Sequence, residues 1–418
     1  MNKIYQTLLI VLVFGLILGA CNAQTPTSSP TTSLETSYPI SGLPSPTDVT
    51  YPIETPTAEP TALPTHTPTT PTPSVGLPIY RLHMFADGSG WAFNSNQSAL
   101  YHTSNGGLSW FTVYPSSGGT LEGGSVDGFF LDGSIVWLIL SDYATETSSL
   151  LHSTDAGATW SETPLTFLGG TLFFLDSNSG FMLSRLGAGA GSEWVAVYAT
   201  TDAGQTWEQR FTHTPGGEEP SLPAGGIKSG FTFLDALNGW ITGSEPVNDF
   251  VYLYRTTDGG TTWEHQPCDI ADADPDAMYT SQPPIFVSET EGFLPLQTFL
   301  MDGSAQAIVC KTSDGGQTWQ SVSSASVQGN VFDFTDAQHG WILGETALFL
   351  TSDGATTWDD LSSSLPAGYT ALSLDFVDEE AGWLLVYDSS SDSLDHNLLF
   401  YSQNGGQTWV QMDARMGD

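Results

Sequence analysis

The sequence predicts an all-β fold in which seven four-stranded antiparallel blades form a ring. Three observations lead to this prediction. An eight-residue motif such as Thr-Thr-Asp-Gly-Gly-Thr-Thr-Trp recurs seven times, and a Gly-Trp or Gly-Phe pair, once degenerate, precedes each copy. The segments between them alternate as short strands and show no helical period. Four short strands in each repeat of 39 to 56 residues are typical of a β-propeller.

Residues 1–20 are expected to be an export signal. Lys3 precedes an apolar stretch, Leu8–Leu18, that is too short to span a bilayer comfortably. The following Leu18-Gly19-Ala20-Cys21 resembles a bacterial lipobox, which implies cleavage before Cys21 and lipidation of its thiol. The alternatives are a signal peptide with an unrelated cysteine, or an uncleaved anchor. We favour the lipoprotein, anchored at the cell surface by its N-terminal lipid.

Residues 21–76 are expected to form a disordered stalk. They are rich in Thr, Pro and Ser and have almost no large apolar residue, so burial cannot offset the entropy of ordering. Residues 77–418 form the predicted propeller. No strand is left over for an exchanged closure, so the first blade is expected to pack directly on the seventh.

Each octamer is expected to be a turn between the third and fourth strands of a blade. The acceptor at its third position can close the turn, glycines such as Gly259 and Gly260 supply positive φ, and the final tryptophan is expected to bury its ring between blades. The acceptors are Asn105, Asp155, Asp202, Asp258, Asp314, Asp353 and Asn404, and the tryptophans are Trp110, Trp160, Trp207, Trp263, Trp319, Trp358 and Trp409. A turn tolerates Asn in two copies, whereas a catalytic acid does not, so we assign the octamers a structural role.

The octamer resembles the Asp-box, or BNR repeat, of sialidases, sortilin-type receptors, some xyloglucan hydrolases and photosystem II assembly factors. Its interleaving with a Gly-Trp strand most resembles the photosystem II assembly factor group. The resemblance implies the fold and a structural turn. It does not carry over a client, because that group is understood to use a basic patch, and this chain has no cluster of Arg or Lys to match.

Composition restricts the partners. With 46 acids against 8 Lys and Arg, the formal charge is −38, which argues against nucleic acid and against electrostatic docking on anionic lipid. We expect a monomer that contacts the membrane only through its lipid. Asp272, Asp274 and Asp276 have the opening spacing of a calcium loop but lack its later ligands. We expect a solvated loop, with adventitious Ca²⁺ as the alternative, no other metal and no cofactor.

Cys268 and Cys310 fall in neighbouring blades and could meet in an oxidising compartment, but adjacent strands could also hold them too far apart. Both outcomes stay open.

Function is expected in the long loops opposite the octamers, where Trp194, His213, Tyr279 and the 269–276 acids are the candidate ligand contacts. The preferred function is non-catalytic binding of a protein or glycan, as in an assembly or scaffold factor. The alternative is a glycoside hydrolase of the sialidase or xyloglucanase kind. An isolated carboxylate pair or Arg cluster in a central pocket favours the enzyme.

Overall fold

The computed structural model describes residues 76–114, 124–142, 144–213, 221–271, 273–300, 305–325, 329, 331–387 and 396–417. The predicted signal, lipidated cysteine and stalk therefore lie outside the described residues. Strands account for nearly all the regular structure, and the described helical content is one 3₁₀ turn, Ser362–Ser364. Within these ranges no helix is long and apolar enough to cross a bilayer.

In each of the first three sheets, four consecutive strands pair antiparallel in chain order, from an inner to an outer strand. The first contains β1 (Arg81–Met84), β2 (Gly90–Phe93), β3 (Leu100–Thr103) and β4 (Ser109–Tyr114). The second contains β5 (Gly124–Phe130), β6 (Val136–Asp142), β7 (Thr147–Ser153) and β8 (Ser161–Leu165). The third contains β9 (Gly170–Phe174), β10 (Gly180–Gly189), β11 (Ser192–Thr200) and β12 (Glu208–Thr212).

A nine-stranded sheet follows. It contains β13 (Ile227–Phe233), β14 (Gly239–Ser244), β15 (Leu253–Thr256), β16 (Glu264–His265), β17 (Met278–Ser281), β18 (Ile285–Phe286), β19 (Gly292–Phe299), β20 (Ala305–Thr312) and β21 (Gln320–Ala325). Its two halves are joined by one pair, Ser244 with Thr280.

Two more four-stranded sheets complete the fold. They contain β22 (Val331–Phe334), β23 (Gly340–Leu343), β24 (Leu348–Thr351) and β25 (Asp359–Asp360), then β26 (Thr370–Phe376), β27 (Ala381–Tyr387), β28 (Asn397–Gln403) and β29 (Val410–Gln411). Inner strands of neighbouring sheets contact one another, β1 with β26 and β22 with β26 among them, so they surround a central axis. The fold is an all-β propeller of four-stranded antiparallel blades.

The expectation that no strand is left for closure is wrong. A last strand, β30 (Arg415–Met416), pairs in parallel with β4 of the first sheet. The Arg415 and Gly417 amides donate to the carbonyls of Leu108 and Trp110 at 3.1 and 2.7 Å. The chain after β16 also pairs in parallel with an outer strand of the next repeat, β21, through a bridge between Asp269 and Gln320. The two-residue closing strand is a crossover onto the next outer strand, and it is too short to show a strand pattern in the sequence.

The core lies between the sheets. The tryptophans of the Gly-Trp strands are buried against the neighbouring sheet, where Trp341 stacks on Phe376 at 3.7 Å. Of the octamer tryptophans, Trp110, Trp263 and Trp319 are buried. Trp160, Trp207, Trp358 and Trp409 are only half-buried, which corrects the expectation of full burial for all seven. All seven lie near the outer edges of the sheets, but each of the three buried ones has a further chain segment bonded to its backbone, Gly417 at Trp110, Ser221 at Trp263 and Asp269 at Trp319.

Candidate functional sites

The octamers form the turns between third and fourth strands. In the fourth repeat, Thr256 Oγ1 donates to Asp258 Oδ1 at 2.8 Å. The Gly260 amide donates to Thr256 Oγ1 and the Thr262 amide donates to Asp258 Oδ1, both at 2.9 Å. Asn404 keeps the same acceptor role, since its Oδ1 accepts the Thr408 amide at 3.0 Å. Hydrogen bonds from Thr159 hold the pKa of Asp155 below its ordinary value, as expected for a carboxylate that only accepts.

The two sequence motifs are bonded to each other in all seven repeats. The fourth residue of each octamer donates its amide to a carbonyl in the turn that precedes the Gly-Trp strand, as Gly259 does to Leu237 at 3.0 Å. The other pairs are Gly106 with Gly88, Ala156 with Ser134, Ala203 with Asn178, Gly315 with Thr290, Gly354 with Gln338 and Gly405 with Glu380. Both turns therefore lie on one face of the propeller, which we call the turn face.

The opposite face, the loop face, carries the connections between second and third strands and between sheets. Its longest described hairpin is formed by β10 and β11, which pair out to Gly189 and Ser192. Trp194, expected in a long loop, therefore lies on strand β11. A bulge between Arg185 and Gly187 places two residues opposite Trp194, and Trp194 is 43% exposed.

Lys228 braces the base of this hairpin. It is 1% exposed, and its Nζ lies 2.9–3.2 Å from five carbonyl oxygens that share its three N–H donors, those of Glu193, Pro223, Ala224, Gly225 and Gly226. Burial lowers the pKa of Lys228 to about 8, although the negative charge of Glu193 acts to raise it. Glu193 binds Arg185 at 2.5 Å and the Lys228 amide at 2.7 Å.

His213 and Tyr279 do not serve as exposed ligand contacts. They are 6% and 2% exposed. His213 Nδ1 accepts the Val195 amide at 2.9 Å, and its Nε2 lies 2.9 Å from the Leu222 carbonyl. Desolvation lowers the pKa of His213, consistent with a neutral ring. The sequence located both in long connections, but it could not show that their side chains turn inward.

The acidic segment is exposed. Asp274 and Asp276 are open to solvent, and Asp274 Oδ1 accepts the Asp276 amide at 2.9 Å, as in a simple turn. Asp272 lies outside the described residues. Elsewhere, Asp336, His339 and Glu379 have ligand atoms within 4.8 Å of one another on the turn face. Both carboxylates face the same ring nitrogen, His339 Nδ1, at 2.9 and 3.4 Å, which is the geometry of one N–H shared between two carboxyl groups.

Cys268 and Cys310 form a disulfide, with their Cα atoms 6.6 Å apart. The bond joins the chain after β16 to β20 on the other half of the nine-stranded sheet.

A polar cluster that the sequence analysis missed lies on the inner strands. In each repeat, the last residue of the inner strand pairs with the glycine of the Gly-Trp strand, or with the residue that replaces this glycine. The residue immediately before it on the inner strand therefore has the same position in every repeat. These residues are His83, Phe129, Phe173, Thr232, Ile285, Asp333 and Asp375. Three neighbouring inner strands thus carry Asp333, Asp375 and His83, which we call the axial cluster.

The axial cluster is bonded across the sheets. Asp333 Oδ2 accepts the Phe376 amide at 2.6 Å, and Asp375 accepts the Met84 amide. His83 Nδ1 lies 3.3 Å from Asp375 Oδ2, and the His83 side chain is 47% exposed. It borders a cavity of about 240 Å³ lined by Arg81, Phe129 and Phe130 among others.

The cluster has perturbed protonation. Burial raises the pKa of Asp333 to about 7, and the Asp375 carboxylate adds to the shift. Burial alone would lower the pKa of His83, but the hydrogen bond and charge of Asp375 and the charge of Asp333 raise it. Burial also raises the pKa of Asp127 on β5. A carboxyl that titrates near 7 can donate or accept a proton at neutral pH.

No protein-family model matches the chain, and no curated protein matches it either. Solved structures of similar fold include YCF48 bound to a D1 peptide, at 17% identity and a TM-score of 0.50, covering 79% of this chain and 92% of that one. YCF48 from Cyanidioschyzon merolae has 16% identity and a TM-score of 0.49, and the match covers 80% of this chain and 97% of that one. A PL25 ulvan lyase has 12% identity and a TM-score of 0.47, and the match covers 81% of this chain and 95% of that one. Identities this low show the propeller fold alone.

Proposed function

We propose that the chain is a lipid-anchored, non-catalytic propeller that binds a protein or glycan partner on its loop face. The observation that carries this proposal is Trp194, an exposed indole on a fixed backbone. Its neighbour Glu193 is bound by Arg185 and Lys228, and its neighbour Val195 is bound by His213. An exposed aromatic side chain loses little backbone entropy on binding when its backbone is already fixed.

The architecture that goes with this function is a seven-bladed propeller on a stalk. In support, only the pair of Ser244 with Thr280 joins the described strands of the two halves of the nine-stranded sheet, as expected for two blades in contact. The seven octamers then supply one turn for each of seven blades. We propose residues 1–20 as the signal, lipidated Cys21 as the anchor and residues 21–76 as the stalk. The charge of −38 favours a monomer at the cell surface.

The likeness in fold to YCF48, which binds a D1 peptide, is consistent with a peptide-binding propeller. The experiment is binding of the full chain to glycan and peptide arrays, followed by titration of each hit. Trp194→Ala is expected to weaken the hit at least tenfold, as loss of a central aromatic contact does. Val410→Ala is the control, since Val410 is 52% exposed on an outer strand. Equal affinity of the wild type and Trp194→Ala contradicts the proposal.

A second candidate is glycoside hydrolysis at the axial cluster, favoured by the paired Asp333 and Asp375 carboxyls. Hydrolysis of a glycosidic bond needs one carboxyl that donates a proton and a second that acts as base or nucleophile. Asp333 meets the first requirement because its pKa is about 7.

Its experiment is a hydrolysis assay of sialosides and β-glucans with the full chain and the Asp333→Asn variant. Turnover by the wild type that falls at least a hundredfold in Asp333→Asn supports the enzyme. Absence of turnover on every substrate, or turnover that survives the substitution, rejects the axial cluster as a catalytic site.

A further inference from the structure

A second feature of the loop face is a cavity of about 310 Å³ between the sheets of β22–β25 and β26–β29. Its floor includes Leu365, Pro366, Tyr369 and Val386, and Glu345 stands at its rim. Tyr369 is half-buried, whereas Glu345 is exposed. The volume is at the lower limit for small-molecule pockets and suits one side chain or one small ring.

The walls are fixed by backbone bonds. The Ala371 amide donates to the Glu345 carbonyl at 3.0 Å, and the Leu361 amide donates to the Leu348 carbonyl at 2.8 Å. Ser364 Oγ donates to the Gly406 carbonyl at 2.7 Å, which holds the 3₁₀ turn against the last sheet. The cavity therefore exists before any ligand arrives, so binding does not have to order it.

Its electrostatics favour a cation. Among the described residues, no ion pair involves Glu345. The undescribed gaps between residues 115 and 395 contain no Lys, Arg or His in the sequence. Asp360, whose pKa is lowered by hydrogen bonds from Ser362, is a further anion two residues from the lining residue Ser362.

We propose that this cavity receives an arginine or lysine side chain from a basic segment of a protein partner. The apolar stem would cover Leu365 and Pro366, the cationic head would pair with Glu345, and the Tyr369 ring would offer a cation–π contact. A partner with positive charge is also attracted by the overall charge of −38. The inference deepens the proposed function by giving the chemistry of its partner, and it rests on that function.

The test is saturation-transfer difference NMR on the full chain with Nα-acetyl-arginine amide. Nα-acetyl-citrulline amide is the matched probe, because it has nearly the same shape without the charge. The arginine probe is expected to bind several-fold more tightly than the citrulline probe, and added salt should narrow the difference. Glu345→Gln should weaken binding of the arginine probe about two- to fivefold, which is the effect expected for loss of an exposed ion pair.

Glu289→Gln is the control variant, because it removes the same charge from the turn face and leaves the cavity unchanged. Ala367→Trp is a second variant, since an indole from this exposed lining residue fills the cavity; it should abolish binding while the melting temperature stays unchanged. Equal binding of both probes, or equal effects of Glu345→Gln and Glu289→Gln, overturns the inference. Loss of partner binding in Trp194→Ala but not in Ala367→Trp leaves the proposed function standing and rejects this cavity.

Discussion

At the scale of single residues, the repeats show which side chains are interchangeable. Asp258 and Asn404 accept equivalent turn amides, at 2.9 and 3.0 Å. Asn404 also donates from Nδ2 to Thr408 Oγ1 at 2.9 Å, where Asp258 Oδ2 accepts from Thr262 Oγ1 at 2.6 Å. The turn requires an oxygen acceptor at this position and does not require a charge.

We therefore expect Asp258→Asn to change the free energy of unfolding by less than about 0.5 kcal/mol, because the acceptor is retained. Asp258→Ala should cost about 1–2 kcal/mol, since it leaves turn amides without a partner. Urea denaturation of the full chain measures both values. Equal destabilisation by the two substitutions would mean that the charge, and not the acceptor, closes the turn.

The axial cluster predicts a pH dependence. The pKa of Asp333 is raised in the folded state to about 7, so the folded state holds a proton that the unfolded state has released. This contribution to stability is full below the unfolded pKa of 3.8 and is lost as pH rises toward 7. Asp333→Asn keeps the acceptor for Phe376 and does not ionise.

The Asp333→Asn variant should therefore gain in melting temperature relative to the wild type as pH rises from about 5 to about 8, by a few degrees. Differential scanning calorimetry at several pH values measures this difference. Asp359→Asn, which removes the same charge at an exposed position, is the control, and the change for Asp333→Asn across this window should exceed the change for Asp359→Asn. A constant difference for Asp333→Asn would mean that the Asp333 carboxyl of the folded protein does not titrate between about pH 5 and about pH 8.

At the scale of elements, crossovers between outer strands hold successive sheets together. The chain after β16 reaches β21 through Asp269, and the disulfide between Cys268 and Cys310 lies next to that crossover. The chain after β29 reaches β4 through β30 without a covalent bond. The two seams use the same backbone contact, but one of them is cross-linked.

Reduction of the disulfide should lower the free energy of unfolding by about 3–4 kcal/mol, because the bond closes a loop with a sequence separation of 42. The Cys268→Ser, Cys310→Ser double variant should match the reduced wild type. Hydrogen exchange should increase first in β16 and β20, which flank the bond. Unchanged stability after full reduction would show that the backbone crossover alone is sufficient.

At the scale of the whole molecule, charge opposes folding while packing between sheets favours it. The formal charge of the chain is −38, and ion pairs among the described residues are few. Repulsion among like charges weakens the compact state and is reduced by salt.

Raising ionic strength from about 0.01 M to about 0.15 M shortens the screening length from about 30 Å to about 8 Å, so the melting temperature should rise. Differential scanning fluorimetry in sodium chloride and in choline chloride measures the effect. Equal rises in the two salts indicate screening. A rise confined to one cation would instead indicate specific ion binding.

The sequence by itself determined the propeller fold and the turn that the octamers form. These features depend on local turn chemistry and on strand periodicity, both of which are written in contiguous residues. The two-residue strand β30 escaped this reasoning, because its partner β4 lies about 300 residues earlier in the chain.

Only the tertiary structure decided which side chains are available for function. All three candidates are expected in long connections, but His213 and Tyr279 are buried, Tyr279 on strand β17, whereas Trp194 is exposed, and sequence position does not distinguish them. Asp333 and Asp375 come from consecutive repeats and His83 from the first, and they meet because inner strands converge on one axis. Burial and the Asp375 carboxylate raise the pKa of Asp333, and the Asp375 and Asp333 carboxyl groups raise that of His83, so both shifts depend on contacts that no single repeat contains.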